Sequence, residues 1–465
     1  MKVFKKGSPK LIKAWAFYDW ANSVYPLVIS TAIFPIYYSS MSSSFANSEG
    51  DISFLGISWN PTTLYDYTLS ISFLIVAFCS PILSAIADYT GNKLKFLRAF
   101  CLLGALSVMA LFFFKGESTL WVALTFTVLA SIGFWGSLVF YNAYLPEVAY
   151  PEQQDEVSAK GFMYGYAGSV MLLIFSLVLI QKPEWFFPKL RMEYLLNALK
   201  KLLASTGLNA SIADWFGITD PNFAPRITFV LVGIWWLGFA QFTYKRLPNN
   251  IFNHKPDKDY IWKGFLELRL VLKSLKEHAQ LKFFLISFFF MSVGVQTIIL
   301  MAGIFGSKEL GLPTLNLILT ILIVQIVAIF GAFFFSRLSK KIGNLATLKI
   351  TMGIWGIVCF IAFILDKSLP NVDNYFYAMG IVLGFVLGAT QSLTRSTFSK
   401  LLPETHDHAT YFSFYNVTEQ IAVVLGMFIF GLLVALTGSM QYSVLALAAF
   451  FLVAFVMLYS IKKMN

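Results

Sequence analysis

Twelve times along the chain an apolar run of about twenty residues or more gives way to a shorter polar stretch. That length matches the roughly 20 residues a helix needs to cross a bilayer. The runs cover 14–38, 64–88, 96–114, 119–141, 161–181, 226–244, 282–304, 314–336, 346–366, 375–400, 410–436 and 439–461. They predict an all-α membrane protein with twelve transmembrane helices. The sixth and seventh runs are parted by the longest charged stretch, YKRLPNNIFNHKPDKDYIWKGFLELRLVLKSLKEH. The expected organisation is therefore an N-terminal six-helix half over 1–244, a linker over 245–281 and a C-terminal six-helix half over 282–465. In the linker, DYIWKGFLELRLVLKSL reads as an amphipathic helix lying on the membrane surface. RMEYLLNALKKLLAS, in the loop 182–225, reads the same way, with Leu195, Leu196, Leu199, Leu202 and Leu203 on one face.

Composition agrees: 57% of residues are hydrophobic and 13% charged, about half the charged share of a soluble domain. The net charge of +11 then reports orientation. About 26 of the 35 basic residues fall on the side holding both chain ends, and cytoplasmic loops carry the basic excess. Both termini are expected in the cytoplasm and the protein in the plasma (inner) membrane, as a monomer. No basic face belongs to a soluble domain, so no nucleic-acid partner is expected. The first run is about twice as long as a signal peptide's apolar region and lacks a cleavage site, so it reads as a span.

Catalytic chemistry finds little support. Cys79, Cys101 and Cys359 all lie in apolar runs without metal or disulfide spacing. His406 and His408 flank Asp407 but lack a third ligand, and no glycine loop ending in GK[ST] is present. Neither an enzyme nor a metal or other cofactor is expected.

The two halves echo each other. SAIADYTGNKLKF after the second run and SRLSKKIGNLATL after the eighth each place a serine seven residues before a Gly-Asn pair. YLPEVAYPEQ ends the fourth run and LLPETHDHAT the tenth, each with Leu-Pro-Glu. Ser84 and Ser336 are 252 residues apart, Tyr144 and Leu401 257. Parallel six-helix repeats with a binding site between them are a transporter architecture. A channel would need neither the repeat nor a gate loop.

SAIADYTGNK resembles the loop between spans two and three of the major facilitator superfamily, G-x-x-x-D-x-x-G-x-[RK], with Asp88, Gly91 and Lys93 in register and Ser84 replacing the first glycine. Gly91 suits the tight turn. The resemblance implies the pseudo-symmetric major facilitator fold and a cytoplasmic gate at this loop. In the second copy Lys340 stands where Asp88 stands in the first, which puts a symmetrical gate in question. YDWANSVYP, NAYLPEVA with SAKGFMYGYAG, and QSLTRSTFSKLLPE with YFSFYNVTEQ resemble the vacuole-effluxer branch, the family of a fungal autophagy-related amino-acid effluxer and its bacterial relatives. That implies secondary transport of a small metabolite, with amino acids as the family's known substrates and efflux as the direction.

Polar residues inside apolar runs mark candidate sites, since a charge at a span centre costs about 2.5–3.5 kcal/mol. They are Asp19 and Asn22 on the first run, Asn142 on the fourth, Gln296 on the seventh, Gln391 and Arg395 on the tenth, and Asn416, Glu419 and Gln420 on the eleventh. In the superfamily, runs one, four, seven and ten line the central path. Asp19 is expected about five residues into its span, and Arg395 to pair with Asp19, Glu419 or both. Such a cluster serves gating, proton coupling or capture of a substrate carboxylate, or else merely fixes packing. Tyr18, Tyr25, Trp135 and Tyr141 accompany these positions. Gly161, Gly165 and Gly168 are expected to let the fifth helix approach its neighbours closely. The expected partners are the bilayer, a small-molecule substrate and, as a candidate coupling ion, the proton. The alternative function is a proton-coupled exporter of drugs or other lipophilic compounds.

Overall fold

In lipid each backbone donor must find its acceptor within its own segment, so uninterrupted apolar runs fold as helices. The computed structural model describes residues 4–186, 222–248 and 260–461. Among them twelve helices are long and apolar enough to cross a membrane: Pro9–Ser43, Pro61–Thr90, Lys93–Phe113, Glu117–Val148, Pro151–Gln181, Phe223–Tyr244, Ala279–Lys308, Thr314–Ile342, Asn344–Ile364, Val372–Leu401, His408–Thr437 and Met440–Ser460. They are the first to twelfth spans below. The segment carrying Leu195 to Leu203 lies outside the described residues.

Two spans, the first and the fifth, begin well before the point that hydropathy indicates. The first starts at Pro9, because KLIKA is helical despite its lysines. The fifth starts at Pro151, and its polar first turns Gln154, Asp155 and Ser158 are buried rather than loop-like. A second departure is small: between the first two spans, Ile52–Phe54 and Ile57–Trp59 pair as an antiparallel hairpin. Its turn, Leu55-Gly56, has both φ angles positive, 53° and 76°, which suits a tight two-residue hairpin loop.

The first span is not uniformly α-helical. Pro9–Asn22 and Phe34–Ser43 are α-helix, and Tyr25–Ile33 between them is π-helix. Pro26 and Pro35 each lack the backbone N–H an α-helix would use, and Thr31 Oγ1 donates to Pro26 O at 2.8 Å.

The end of the bundle where the first span begins and the twelfth ends is called the terminal face. Spans one, four and seven are each 61% buried in their most apolar window and span ten 67%, against 22% for span eight and 28% for span eleven. Of the five spans with polar candidates, the first, fourth, seventh and tenth are thus the innermost, and the eleventh is not. Phe78, Leu436, Phe428 and Phe330 stand exposed on the outside, an apolar surface that fits hydrocarbon and not water.

Small residues bring helices together. A Cβ at Gly388 would strike the Ala328 carbonyl, one at Gly384 the Val324 carbonyl, and one at Gly331 the Phe385 carbonyl, which joins spans eight and ten backbone to backbone. On the fifth span Gly161, Gly165 and Gly168 lie against Asp19, Ser23 and Trp20 of the first. The fifth span also packs on the eighth and tenth, and the second on the eleventh. The linker helix Tyr260–Glu277 lies under the second span, with Gly264 on Ile86 and Tyr411 Oη donating to Ser274 Oγ at 2.8 Å.

Gly388→Val would overpack the contact of spans eight and ten at about 1–3 kcal/mol. A thermal melt in detergent should show a lowered midpoint; an unchanged one would remove the close backbone approach.

Candidate functional site: a cavity with a locked floor

Arginine carries five N–H donors in a rigid fork, and Arg395 on the tenth span uses all five. Its Nε donates to Ser158 Oγ at 2.9 Å, and Nη2 donates to Ser158 O at 2.8 Å and to Asp19 Oδ2 at 3.3 Å. Nη1 donates to Asp19 Oδ2 and to Asn142 Oδ1, both at 3.3 Å. The guanidinium carbon lies 4.1 Å from the Phe162 ring centre, 4.9 Å from Trp15 and 5.4 Å from Tyr141. Tyr141 Oη donates to Asp19 Oδ2 at 2.8 Å, and Trp15 Nε1 to Tyr141 O at 2.9 Å. One side chain therefore ties the tenth span to the first, fourth and fifth. Gly161 makes this possible, since a Cβ there would meet Asp19 Oδ2, Arg395 and the Tyr141 hydroxyl.

Above this knot is a cavity of about 320 Å³. All seven candidates, Asp19, Asn22, Asn142, Gln296, Gln391, Arg395 and Glu419, line it. It runs from Arg395 to Thr31, Gly303, Leu317 and Phe376, which lie toward the far ends of their helices, so it extends toward the face opposite the termini. The π-helical stretch of the first span supplies Tyr25, Pro26, Leu27, Ser30 and Thr31 to its wall; π-helical turns recur at functional sites.

One expectation needs correction. Asp19 is ten residues past Pro9, about 15 Å along the helix at 1.5 Å per residue, so it sits well inside rather than one turn deep. Arg395 meets Asp19, whereas Glu419 accepts from Gln296 Nε2 at 2.5 Å and has no cation within ion-pair distance among the described residues. Asn416 donates to Trp135 O at 3.1 Å, and Gln420 is buried without a hydrogen-bond partner among the described residues. Gln391 accepts from Tyr166 Oη at 2.5 Å. Of the aromatics, Tyr25 and Trp135 line the cavity, while Tyr18 and Tyr141 pack behind it.

Between the floor and the terminal face the halves are sewn together twice. Asp88, at the end of the second span, accepts from Ala409 N at 3.2 Å, Thr410 N at 2.7 Å and Thr410 Oγ1 at 2.9 Å, at the start of the eleventh. An anion at a helix N-terminus is favourable. Lys93 sits 3.5 Å from Asp88 and pairs with Glu147, and His408 Nδ1 lies 3.2 Å from Glu147 Oε1. Gly91 takes φ 68°, closing the turn between Asp88 and Lys93.

The second seam joins the eighth-to-ninth turn to the start of the fifth span, with its polarity reversed. There the acids stand on the helix start: Asp155 accepts from Asn344 Nδ2 at 2.7 Å, Ser339 Oγ at 3.0 Å and Lys400 Nζ at 2.7 Å. Lys340, in the place of Asp88, meets Glu156 at 2.7 Å. The symmetry-related contact is kept and its charges are exchanged. Asp155, Ser158, Tyr166, Asn344 and Lys400 escaped sequence reasoning. The matching Gly-Asn pairs and the offset of about 250 residues, which carries Asp155 to the start of the eleventh span, were the available signal.

Twelve spans around a central cavity, sealed at one end between two sets of helices, are the plan of a major facilitator-type transporter. The chain belongs to the family described as "Vacuole effluxer Atg22 like", whose model matches residues 7–191 and 201–465. It is 30% identical over 459 residues to the uncharacterized MFS-type transporter YxiO of Bacillus subtilis, covering 98% of this chain and 95% of that one. It is 26% identical over 428 residues to autophagy-related protein 22 of Coccidioides immitis, covering 83% and 70%. In fold it is similar to the major facilitator transporter FucP in its outward conformation, with TM-score 0.66, 13% identity and 98% and 99% coverage. A bacterial homologue of the iron transporter ferroportin, in an outward-facing state, gives TM-score 0.60 at 14% identity, with 97% and 98% coverage.

Asp155→Ala removes one acceptor from each of three donors, Asn344, Ser339 and Lys400, and leaves Lys400 without its counter-ion. A cysteine at buried Ser392 should then react with a membrane-impermeant maleimide about tenfold faster or more. Labelling at the parent rate would mean the remaining contacts close the face alone.

Proposed function

We propose that this protein is a secondary active transporter that moves a small polar metabolite, with amino acids as the leading class, out of the cytoplasm by alternating access. The observation that carries this reading is the asymmetry of the cavity. It extends toward one face, while the other is shut by Arg395 and two seams of opposite polarity. Those contacts all cross between spans one to six and spans seven to twelve. Breaking them while closing the far end would expose the cavity to the other side.

On this reading residues 1–244 and 282–465 are the two rocking bodies and 245–281 ties them together. The basic excess supports cytoplasmic termini in a plasma membrane, which makes the described conformer outward-facing. Arg395 then acts as the inner gate's bolt, and Asp88, Gly91 and Lys93 serve as part of that gate. The family name and the autophagy-related relatives support efflux. A second reading, proton-coupled export of lipophilic compounds, draws on the apolar wall formed by Phe73, Phe134, Phe162 and Phe288.

Proteoliposomes loaded with labelled amino acids, with and without an imposed pH gradient, test both. Wild type should release a subset, and Asp19→Asn should slow release by about tenfold or more, because Arg395 loses its only anionic partner among the described residues. Drug release without amino-acid release would favour the second reading. An unaffected Asp19→Asn variant would sink the bolt assignment.

A further inference from the structure

The cavity holds three fully ionisable groups besides tyrosines: Asp19, Arg395 and Glu419. The first two compensate each other, and Arg395 has no N–H left for a ligand. A substrate carboxylate could reach Arg395 only by displacing Asp19, Asn142 or Ser158, which would undo the floor. In this conformer Arg395 is therefore a lock and not a receptor.

Glu419 is different. It lies eleven residues past His408, about 16 Å along the helix, too deep for a short side chain to reach the headgroups. Its Oε1 accepts one bond, from the neutral Gln296 amide, and among the described residues no donor meets its Oε2 and no cation pairs with it. Glu419 is half-buried and borders the cavity, so its charge faces that space without a protein cation among the described residues. Tyr415, one turn earlier on the same face, also lines the cavity, and its ring stacks on Phe288 with centroids 4.0 Å apart. Aromatic faces beside a carboxylate are a setting that attracts organic cations.

A second, independent observation lies across the cavity. Asn22 is 1% exposed and lines the same space, yet its Nδ2 has no hydrogen-bond partner among the described residues. The protein thus leaves one charged acceptor and one neutral donor unsatisfied in a single chamber, between apolar walls.

We infer that Glu419, held by Gln296, is the subsite for a cationic nitrogen of the substrate, a primary or secondary ammonium, while Asn22 donates to an acceptor elsewhere on the same molecule. This rests on the cavity being the substrate site of the proposed transporter and assigns its polarity: the positive end of the ligand lies against the eleventh span.

The test uses the purified full chain in nanodiscs and three probes with similar alkyl chains: n-butylammonium, butyrate and norvaline. Calorimetric titration should show norvaline and butylammonium binding and butyrate not. Glu419→Gln, an isosteric change, should weaken both amines by about tenfold to a hundredfold, the usual worth of a hydrogen bond to a charged group. Glu419→Asp should keep part of the affinity, and the melting midpoints should confirm that both variants are folded. Three results overturn the subsite: no amine bound by wild type at millimolar concentration, butyrate bound as well as butylammonium, or amine affinity unchanged in folded Glu419→Gln. The last, with pH dependence lost, would mark Glu419 as a proton carrier only. Liposome flux separates this from the transport reading. Amine binding through Glu419 without flux sinks transport alone, and flux with amine affinity indifferent to Glu419 sinks the subsite alone.

Discussion

Everything else in the structure leans on the fit between Arg395 and the pocket that receives it. A guanidinium deep among helices is tolerable only if its charge is matched and its donors are met. Here Asp19 supplies the charge and Ser158, Asn142 and Asp19 supply the acceptors. Those groups come from three helices of one half, while the arginine comes from the other. Removing any partner affects at once the floor of the cavity, the registration of the fifth span against the first, and the closure of the terminal face. The glycines of the fifth span belong to the same constraint, because Gly161 leaves the space the ion pair occupies.

The seams below the floor show how a duplicated fold can keep a contact while changing its chemistry. At Asp88 an acid in the turn meets bare backbone N–H groups of the eleventh span. At Lys340 a base in the turn meets an acid on the start of the fifth. Each arrangement is electrostatically sound alone, because acids favour helix starts whether they come from a neighbour or from the helix itself. A helix start that already carries Asp155 and Glu156 would repel a second acid. The lysine in the second turn and the acidic start of the fifth span are thus complementary.

How much of this was legible follows from what a one-dimensional pattern records. Asp19, Arg395 and Glu419 stand out because charges in apolar runs are rare, and all three reach the cavity. Their partners were harder. Which of two acids meets Arg395 depends on how the helices are turned about their axes, and residue spacing is silent on that. Ser158 and Tyr166 hide among hydroxyl residues common in membrane helices. The stretch from Gln154 to Ser158 looked like a loop since hydropathy sees polar residues, while their burial arises only when the eighth and tenth spans pack over them. The span pattern itself survived because bilayer thickness acts on each segment separately.

Asp19 and Arg395 lie 376 residues apart in sequence. At roughly 5–20 residues per second of synthesis, the ribosome takes roughly 20–75 seconds to travel from one to the other. Throughout that interval the acid is already in the nascent chain while its counter-ion has not been made. Of its side-chain partners among the described residues, Tyr141, on the fourth span, is made early. The first half of the polypeptide must therefore be inserted as an incomplete body carrying an unbalanced negative charge, and the tenth helix is the part that completes it.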